Sequence, residues 1–128
     1  MYIGLVTTTT LSDDEVDALF HALADRTRRD ILRRSLAGEY SVSALASHYD
    51  MSFAAVQKHV AVLERAGLVT KRRSGREALA SGDVTTIRSV GTLLDELEQV
   101  WRGRVSRIDD LLAAEKLHHP IKSATPEE

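Results

Sequence analysis

A mainly α-helical fold with one small two-stranded β hairpin and a long C-terminal helix is what this sequence predicts. Three observations carry that expectation. Apolar residues recur at helical spacing through most of the chain, Ser, Asp and Gly stand where those stretches begin and end, and one basic stretch around Ser74-Gly75 breaks the helical period. Only 5% of the chain is aromatic, and Ala, Leu, Val and Arg dominate, which suits packed helices better than an extensive sheet. At 128 residues there is enough chain for one domain with a core, but not for two comfortable ones.

In chain order, residues 1–11 (MYIGLVTTTTL) neither cap nor pattern a helix and read as a flexible arm. Ser12 and Asp13 are candidate N-caps, followed by acids in a first turn where the helix dipole favours them. Val16, Leu19, Phe20 and Leu23 then fall at helical spacing, with an end expected near Ala24. Asp25 caps a second helix, Arg26 to about Ala37, with Ile31, Leu32 and Leu36 inward and its arginines outward. Gly38 stands where a left-handed residue commonly closes a helix. Ser41 or Ser43 opens a third helix that buries Val42, Leu45 and Ala46. A turn at Tyr49-Asp50-Met51 leads to Ser52, the cap of a fourth helix.

On that fourth helix Val56, Val60 and Leu63 define the buried face. Rotation by about 100° per residue puts Ala54, Gln57, Lys58, Ala61 and Arg65 on the opposite side. Gly67 ends the helix, Leu68 to Arg73 and Glu77 to Ala80 are candidate strands, and Ser74-Gly75 is the turn between them. From about Asp83 to Lys116 the pattern is helical again. Leu94, Leu97, Trp101, Val105, Ile108 and Leu112 step by three or four residues, close to a heptad seam. Some 34 residues of helix measure about 50 Å, longer than a domain this small covers alone. A core helix of the same subunit is the plainer account; a seam between subunits fits better, because Val16, Leu19 and Phe20 offer a second apolar stripe. Residues 118–128, with Pro120 and Pro126, read as a flexible tail.

From Ser41 to Arg76 these elements make two short helices joined by a tight turn, then a basic hairpin. That is a helix-turn-helix followed by a wing, a shape that places one helix in a DNA major groove. The net charge of −2 looks wrong for a DNA binder until its distribution is read. Met1 to Asp25 holds five acids and no Lys or Arg, whereas Ser52 to Arg76 holds six bases against Glu64 alone. Arg26 to Arg34 adds five arginines against Asp30. Phosphate binding depends on the local face, not on the global charge.

Other chemistries find little support. There is no cysteine, which excludes disulfides, thiol nucleophiles and thiolate metal sites. No stretch approaches the roughly 18 apolar residues of a membrane span, and the N-terminus lacks the pattern of a secretory signal, so a cytoplasmic protein is expected. Nucleophile-elbow, phosphate-loop and zinc-protease motifs are missing, and Asp13-Asp14-Glu15 is better explained by a helix N-terminus than by catalysis. No enzyme and no cofactor are expected.

The segment LFHALADRTRRDILRRSLAGEYSVSALASHYDMSFAAVQKHVAVLERAGLVTKRRSGRE resembles the ArsR-type winged-helix repressors, over roughly residues 16–82. Its most specific parts are ALADRTRRDIL and MSFAAVQKHVAVLERAGLV. The resemblance implies a homodimer built from the first and last helices on a palindromic operator. Many relatives carry Glu-Leu-Cys-Val-Cys-Asp-Leu on the third helix. Here that stretch is Glu39-Tyr40-Ser41-Val42-Ser43-Ala44-Leu45, with the thiolates replaced by serine and the acid by alanine. A second family site uses Asp, His and Glu along the last helix, and this last helix has no His before His118. Metal sensing is therefore not expected, although the His118-His119 pair remains a site of casual binding. The region Leu93 to Lys116 is similar to relatives without metal sites, which are often encoded beside a START-like small-molecule-binding protein. That analogy leaves room for an unidentified small-molecule effector.

The candidate DNA-contacting residues are Ser41, Ser43, Ser52, Ala54, Ala55, Gln57, Lys58, His59, Arg72, Arg73 and Arg76. Gln57 is the best base reader, since its amide can bond N6 and N7 of adenine together. His59 matches a histidine usual in the family and is expected to pack or to contact phosphate. The candidate dimer contacts are Val16, Leu19, Phe20, Leu94, Leu97, Trp101, Val105, Ile108 and Leu112. The competing reading is a winged-helix protein-interaction module that does not bind DNA; the net acidity favours it and the basic stretch from Ser52 to Arg76 opposes it.

Overall fold

The computed structural model describes residues 11–118, so the expected arm at residues 1–10 and the expected tail from His119 lie outside it. The side chains of Leu117 and His118 lie outside it as well. The elements in order are α1 (Asp13–Leu23), α2 (Arg26–Ala37), β1 (Tyr40–Ser41), α3 (Val42–Ala46), α4 (Phe53–Arg65), β2 (Val69–Ser74), β3 (Glu77–Gly82) and α5 (Val84–His118). By contacts the chain divides into two compact units, residues 1–92 and 93–128.

Local chemistry accounts for each helix end. Ser12 and Glu15 form a reciprocal capping box at α1, with the Glu15 amide donating to Ser12 Oγ at 3.1 Å and the Ser12 amide to Glu15 Oε1 at 2.8 Å. Asp25 caps α2 by accepting from the Arg28 amide at 3.0 Å, and that bond holds its carboxyl below the usual carboxylate value. Ser41, rather than Ser43, caps α3 through the Ala44 amide, and Ser52 caps α4 through the Ala55 amide. At the end of α4 the Gly67 amide donates to Glu64 O and the Leu68 amide to Leu63 O, the paired bonds of a Schellman closure. Gly67 takes φ +82° there, which a side chain would resist.

The core of the first unit draws on every element except β1. Leu19 and Ala22 come from α1, Ile31 and Leu32 from α2, Val42 and Leu45 from α3, and Val56, Val60 and Leu63 from α4. Leu68, Val69, Ala80 and Val90 complete it. Of the inward set expected on α2, Leu36 is a correction. It is 43% exposed, and Ser35 is buried in its place, because Ser35 lies one turn beyond Ile31 on the same face. Leu36 instead lies over Gly82, where an added Cβ would come within 2.6 Å of its Cγ and Cδ2.

Further corrections concern the β region. The sheet has three strands in the order β1-β3-β2, all antiparallel, not the two strands of the expected wing. Tyr40 pairs with Ala80 and Ser41 with Leu79, so the short β1 joins the hairpin to the start of α3. Two residues are too few to show any period in sequence. In the hairpin Ser74 pairs with Glu77, which makes Gly75-Arg76 the two-residue loop, one position later than expected. Gly75 supplies the positive φ of +63° that such a loop needs. Gly38 closes α2 in extended backbone at φ −175°, not in the left-handed region.

The α2 arginines are also not simply outward. Arg28 Nε and Nη2 donate to Ala22 O and His21 O, each at 2.9 Å, and Arg29 Nη1 donates to Leu23 O at 2.8 Å. Two arginines of α2 thus satisfy the open carbonyls at the end of α1, where the helix dipole also favours positive charge. Arg33 and Arg34 both donate to Asp30, which accepts in addition from Tyr49 Oη at 2.6 Å. The Tyr49 bond, with the arginines behind it, holds Asp30 below the usual carboxylate value. Burial and the Asp30 charge push the Tyr49 phenol up to about 12. This network ties α2 to the turn that precedes α4.

Candidate nucleic-acid interface

The helix-turn-helix is α3, the turn through Asp50 and Met51, and α4. Val56, Val60 and Leu63 are fully buried, so α4 is fixed in rotation and its other faces point outward. Ala54, Gln57, Lys58 and Arg65 are exposed, while Ala55 and Ala61 are half-buried.

An open groove runs between the start of α3, the start of α4 and the hairpin. Ser41, Ser43, Phe53, Gln57, Lys71, Arg73 and Arg76 stand along it. Five of these, Ser41, Ser43, Gln57, Arg73 and Arg76, are candidates named from sequence. The groove therefore collects an amide, two hydroxyls, three cations and the carboxylate of Glu77 on one surface. Among the described residues neither Arg73 nor Arg76 has an ion-pair partner; Lys71 Nζ lies 3.4 Å from Glu64 Oε1. Ser41 and Ser52 already use an oxygen lone pair to cap their helices, yet each hydroxyl keeps its proton to donate.

The remaining candidates stand apart from the groove. Ser52, Ala54 and Lys58 are exposed around the start of α4, on a neighbouring face. Arg72 is turned by strand alternation away from Lys71 and Arg73, and its guanidinium forks onto Glu39 at 2.9 and 2.8 Å. Those bonds raise the Arg72 pKa above its usual value. His59 is half-buried, with Nδ1 3.3 Å from Arg28 Nη1, so it meets α2 instead of standing with Gln57 and Lys58.

Phe53 and Lys71 line the groove without having been expected there. Lys71 was legible only as one base among six. Phe53 was hidden by periodicity, because it lies three residues before Val56 and continues the buried stripe in phase.

The second set of expected contacts divides sharply. Leu19 is 2% exposed and packs within the core of its own chain, which corrects its assignment to a seam between subunits. The cause is rotation: Leu19 and Ala22 share the inward face of α1, with Val16 half-buried one turn earlier and Phe20 exposed on another face. In the second unit none of residues 93–116 is buried. Leu94, Leu97, Trp101, Ile108 and Leu112 are all exposed large apolar side chains, Trp101 at 58%, with Val105 half-buried beside them. Among the described residues no three His, Cys, Asp or Glu side chains are grouped to hold a metal, and no helix is long and apolar enough to cross a membrane.

The helix-turn-helix domain family matches residues 23–72, the span from the end of α1 into β2. The transcriptional regulator Rv2034 of Mycobacterium tuberculosis is 32% identical over 99 residues, covering 77% of this chain and 90% of that protein. The crystal structure of the ArsR family transcriptional regulator RHA00566 superposes with a TM-score of 0.68 at 30% identity, covering 72% of this chain and 95% of that one. The chain belongs to the ArsR-type winged helix-turn-helix regulators. The relatives named here are transcriptional regulators, and the groove leaves its amide and cations open to solvent. The transcriptional activator HlyU of Vibrio cholerae is also similar, at 33% identity over 79 residues, 62% of this chain and 73% of that protein. The family therefore includes a named activator, and membership alone does not give the sign of regulation.

Proposed function

We propose that this regulator is a homodimeric repressor, binding a palindromic operator before its own operon and blocking transcription by occupancy. The observation that carries the reading is the groove in which Gln57 stands among Lys71, Arg73 and Arg76. Gln57 reads adenine through N6 and N7, and Lys58 reaches guanine or a phosphate from the neighbouring face. Ala54 and Ala55 let α4 lie close to the base edges. Ser41, Ser43 and Ser52 donate to phosphates, and Arg73 and Arg76 hold the backbone or enter the minor groove. Arg72 serves mainly to brace the hairpin against Glu39, and His59 to set α4 against Arg28.

Dimerisation is supported by the second unit. A helix with a continuous exposed apolar stripe does not persist alone in water, so Leu94, Leu97, Trp101, Val105, Ile108 and Leu112 need a partner surface. A second copy, joined through these residues with Val16 and Phe20, provides it. Residues 12–117 then act as one functional module, with two recognition helices set about 34–36 Å apart for half-sites one turn distant. Control is independent of metal thiolates, and any small-molecule effector would act through the seam. Occupancy needs only DNA contact and no surface for polymerase, which favours repression over activation.

Footprinting on the DNA upstream of its own gene, across a salt series and with or without zinc, tests the reading. A protected two-fold site with a steep salt slope and no zinc response is expected. No protection at low salt would leave a protein-interaction module instead, and release by zinc would overturn the non-metal assignment.

A further inference from the structure

The recognition helix opens with an aromatic ring that the fold leaves unused. Phe53 is the first residue of α4, is 46% exposed, and is not among the side chains packed against the core. Its helical phase is that of Val56 and Val60, yet at the start of α4 the ring is only partly covered and remains 46% exposed. It emerges into the groove, beside Gln57 one turn further along and opposite Lys71, Arg73 and Arg76. An apolar surface ringed by an amide, three cations and the single carboxylate of Glu77 is net positive, and fits a ligand that is anionic around its edge and presents an apolar group at its centre. A DNA major groove has that character at thymine, the one base that displays a methyl group there.

We propose that Phe53 is a specificity-determining residue that packs on the C5-methyl of a thymine. The inference rests on the DNA-binding reading above and adds to it a second base and its position. Four residues of helix rise about 6 Å, and base pairs stack at about 3.4 Å, so the thymine lies within about two base pairs of the adenine assigned to Gln57. Ala54 and Ala55 can also touch a thymine methyl, but each presents a single methyl and neither lines the groove. Recognition helices place their N-terminal residues against base edges, which is where Phe53 stands. The alternative is a lid over Val42 and Val60, which also line the groove. A lid would affect all sequences alike and would be blind to a methyl group on the DNA.

The test removes the methyl from the DNA instead of from the protein. A duplex operator is selected from a random pool with the full-length protein, and each thymine is then replaced in turn by uracil. For the unaltered protein we expect one thymine per half-site at which uracil weakens binding about fourfold, the size of one buried methyl. Phe53→Ala should bind the thymine duplex more weakly, lose its discrimination between thymine and uracil at that position, and keep its salt slope. Phe53→Leu should retain part of the discrimination. The proposal is overturned if no thymine within about two base pairs of the Gln57 adenine responds to uracil, a result that does not depend on any variant folding. It is equally overturned if a folded Phe53→Ala protein still discriminates. Either failure leaves the salt-dependent binding intact, whereas a pool that yields no salt-dependent duplex would sink the DNA reading and this inference together.

Discussion

Arg72, Arg73 and Arg76 are nearly equivalent in sequence, and the structure makes them unequal in a way that salt dependence can measure. Among the described residues Arg73 and Arg76 line the groove without ion-pair partners, whereas the Nε–Nη2 edge of the Arg72 guanidinium is taken by Glu39. Each phosphate neutralised contributes about 0.9 to the slope of log affinity against log salt. Arg73→Ala/Arg76→Ala removes two contacts from each protomer of a dimer, four in all, so the slope should fall by about 3.6. Over the fourfold range from about 50 to 200 mM salt, those contacts account for about 150-fold of the lost affinity in the unaltered protein. Arg72→Ala should leave the slope unchanged, and the charge-neutral Glu39→Ala/Arg72→Ala pair should do the same. Fluorescence anisotropy on a labelled operator at five or six salt concentrations gives the slopes directly. If Arg72→Ala lowers the slope as far as Arg76→Ala does, then Glu39 does not hold Arg72 away from DNA and the division of the wing is wrong.

Three further outcomes are expected. Gly82→Ala should destabilise the fold by about 1–3 kcal/mol in urea denaturation, because its Cβ meets Leu36, and most of that cost should vanish in a Leu36→Ala background; equal costs in both backgrounds would refute the close contact. Asp25 and Asp30 both have folded pKa values depressed below their unfolded ones, so their contribution is complete above about pH 5 and is lost as pH falls through the unfolded and then the folded values. Asp30→Asn should accordingly show a shallower acid loss of stability than the parent, and parallel acid curves would show that the Tyr49–Arg34 network carries no charge-dependent stability. Leu97→Glu removes about 1.5–3 kcal/mol of burial from each side of a symmetric seam, enough to weaken dimerisation at least 100-fold by sedimentation velocity; an unchanged dimer would place the seam elsewhere.

Much of this regulator was legible in its sequence because much of it is local. The caps at Ser12, Asp25 and Ser52 act on amides three residues away, and the Val56, Val60 and Leu63 stripe is a property of one helix turn repeated. From those alone come the helix-turn-helix, the exposure of Gln57 and Lys58, and the helical pattern from Asp83 onward. Tertiary structure decided what depends on partners distant in the chain. Glu39 takes Arg72 from 33 residues away, Arg28 meets His59 across 31, and Asp30 binds Tyr49 across 19. Strand β1 exists only because β3 lies beside it, and Leu19 faces its own core because of how α1 packs. Phe53 is the sharpest case. Periodicity assigns it a buried phase, but phase gives only direction around the helix axis, and the packing at the first residue of α4 leaves the ring 46% exposed.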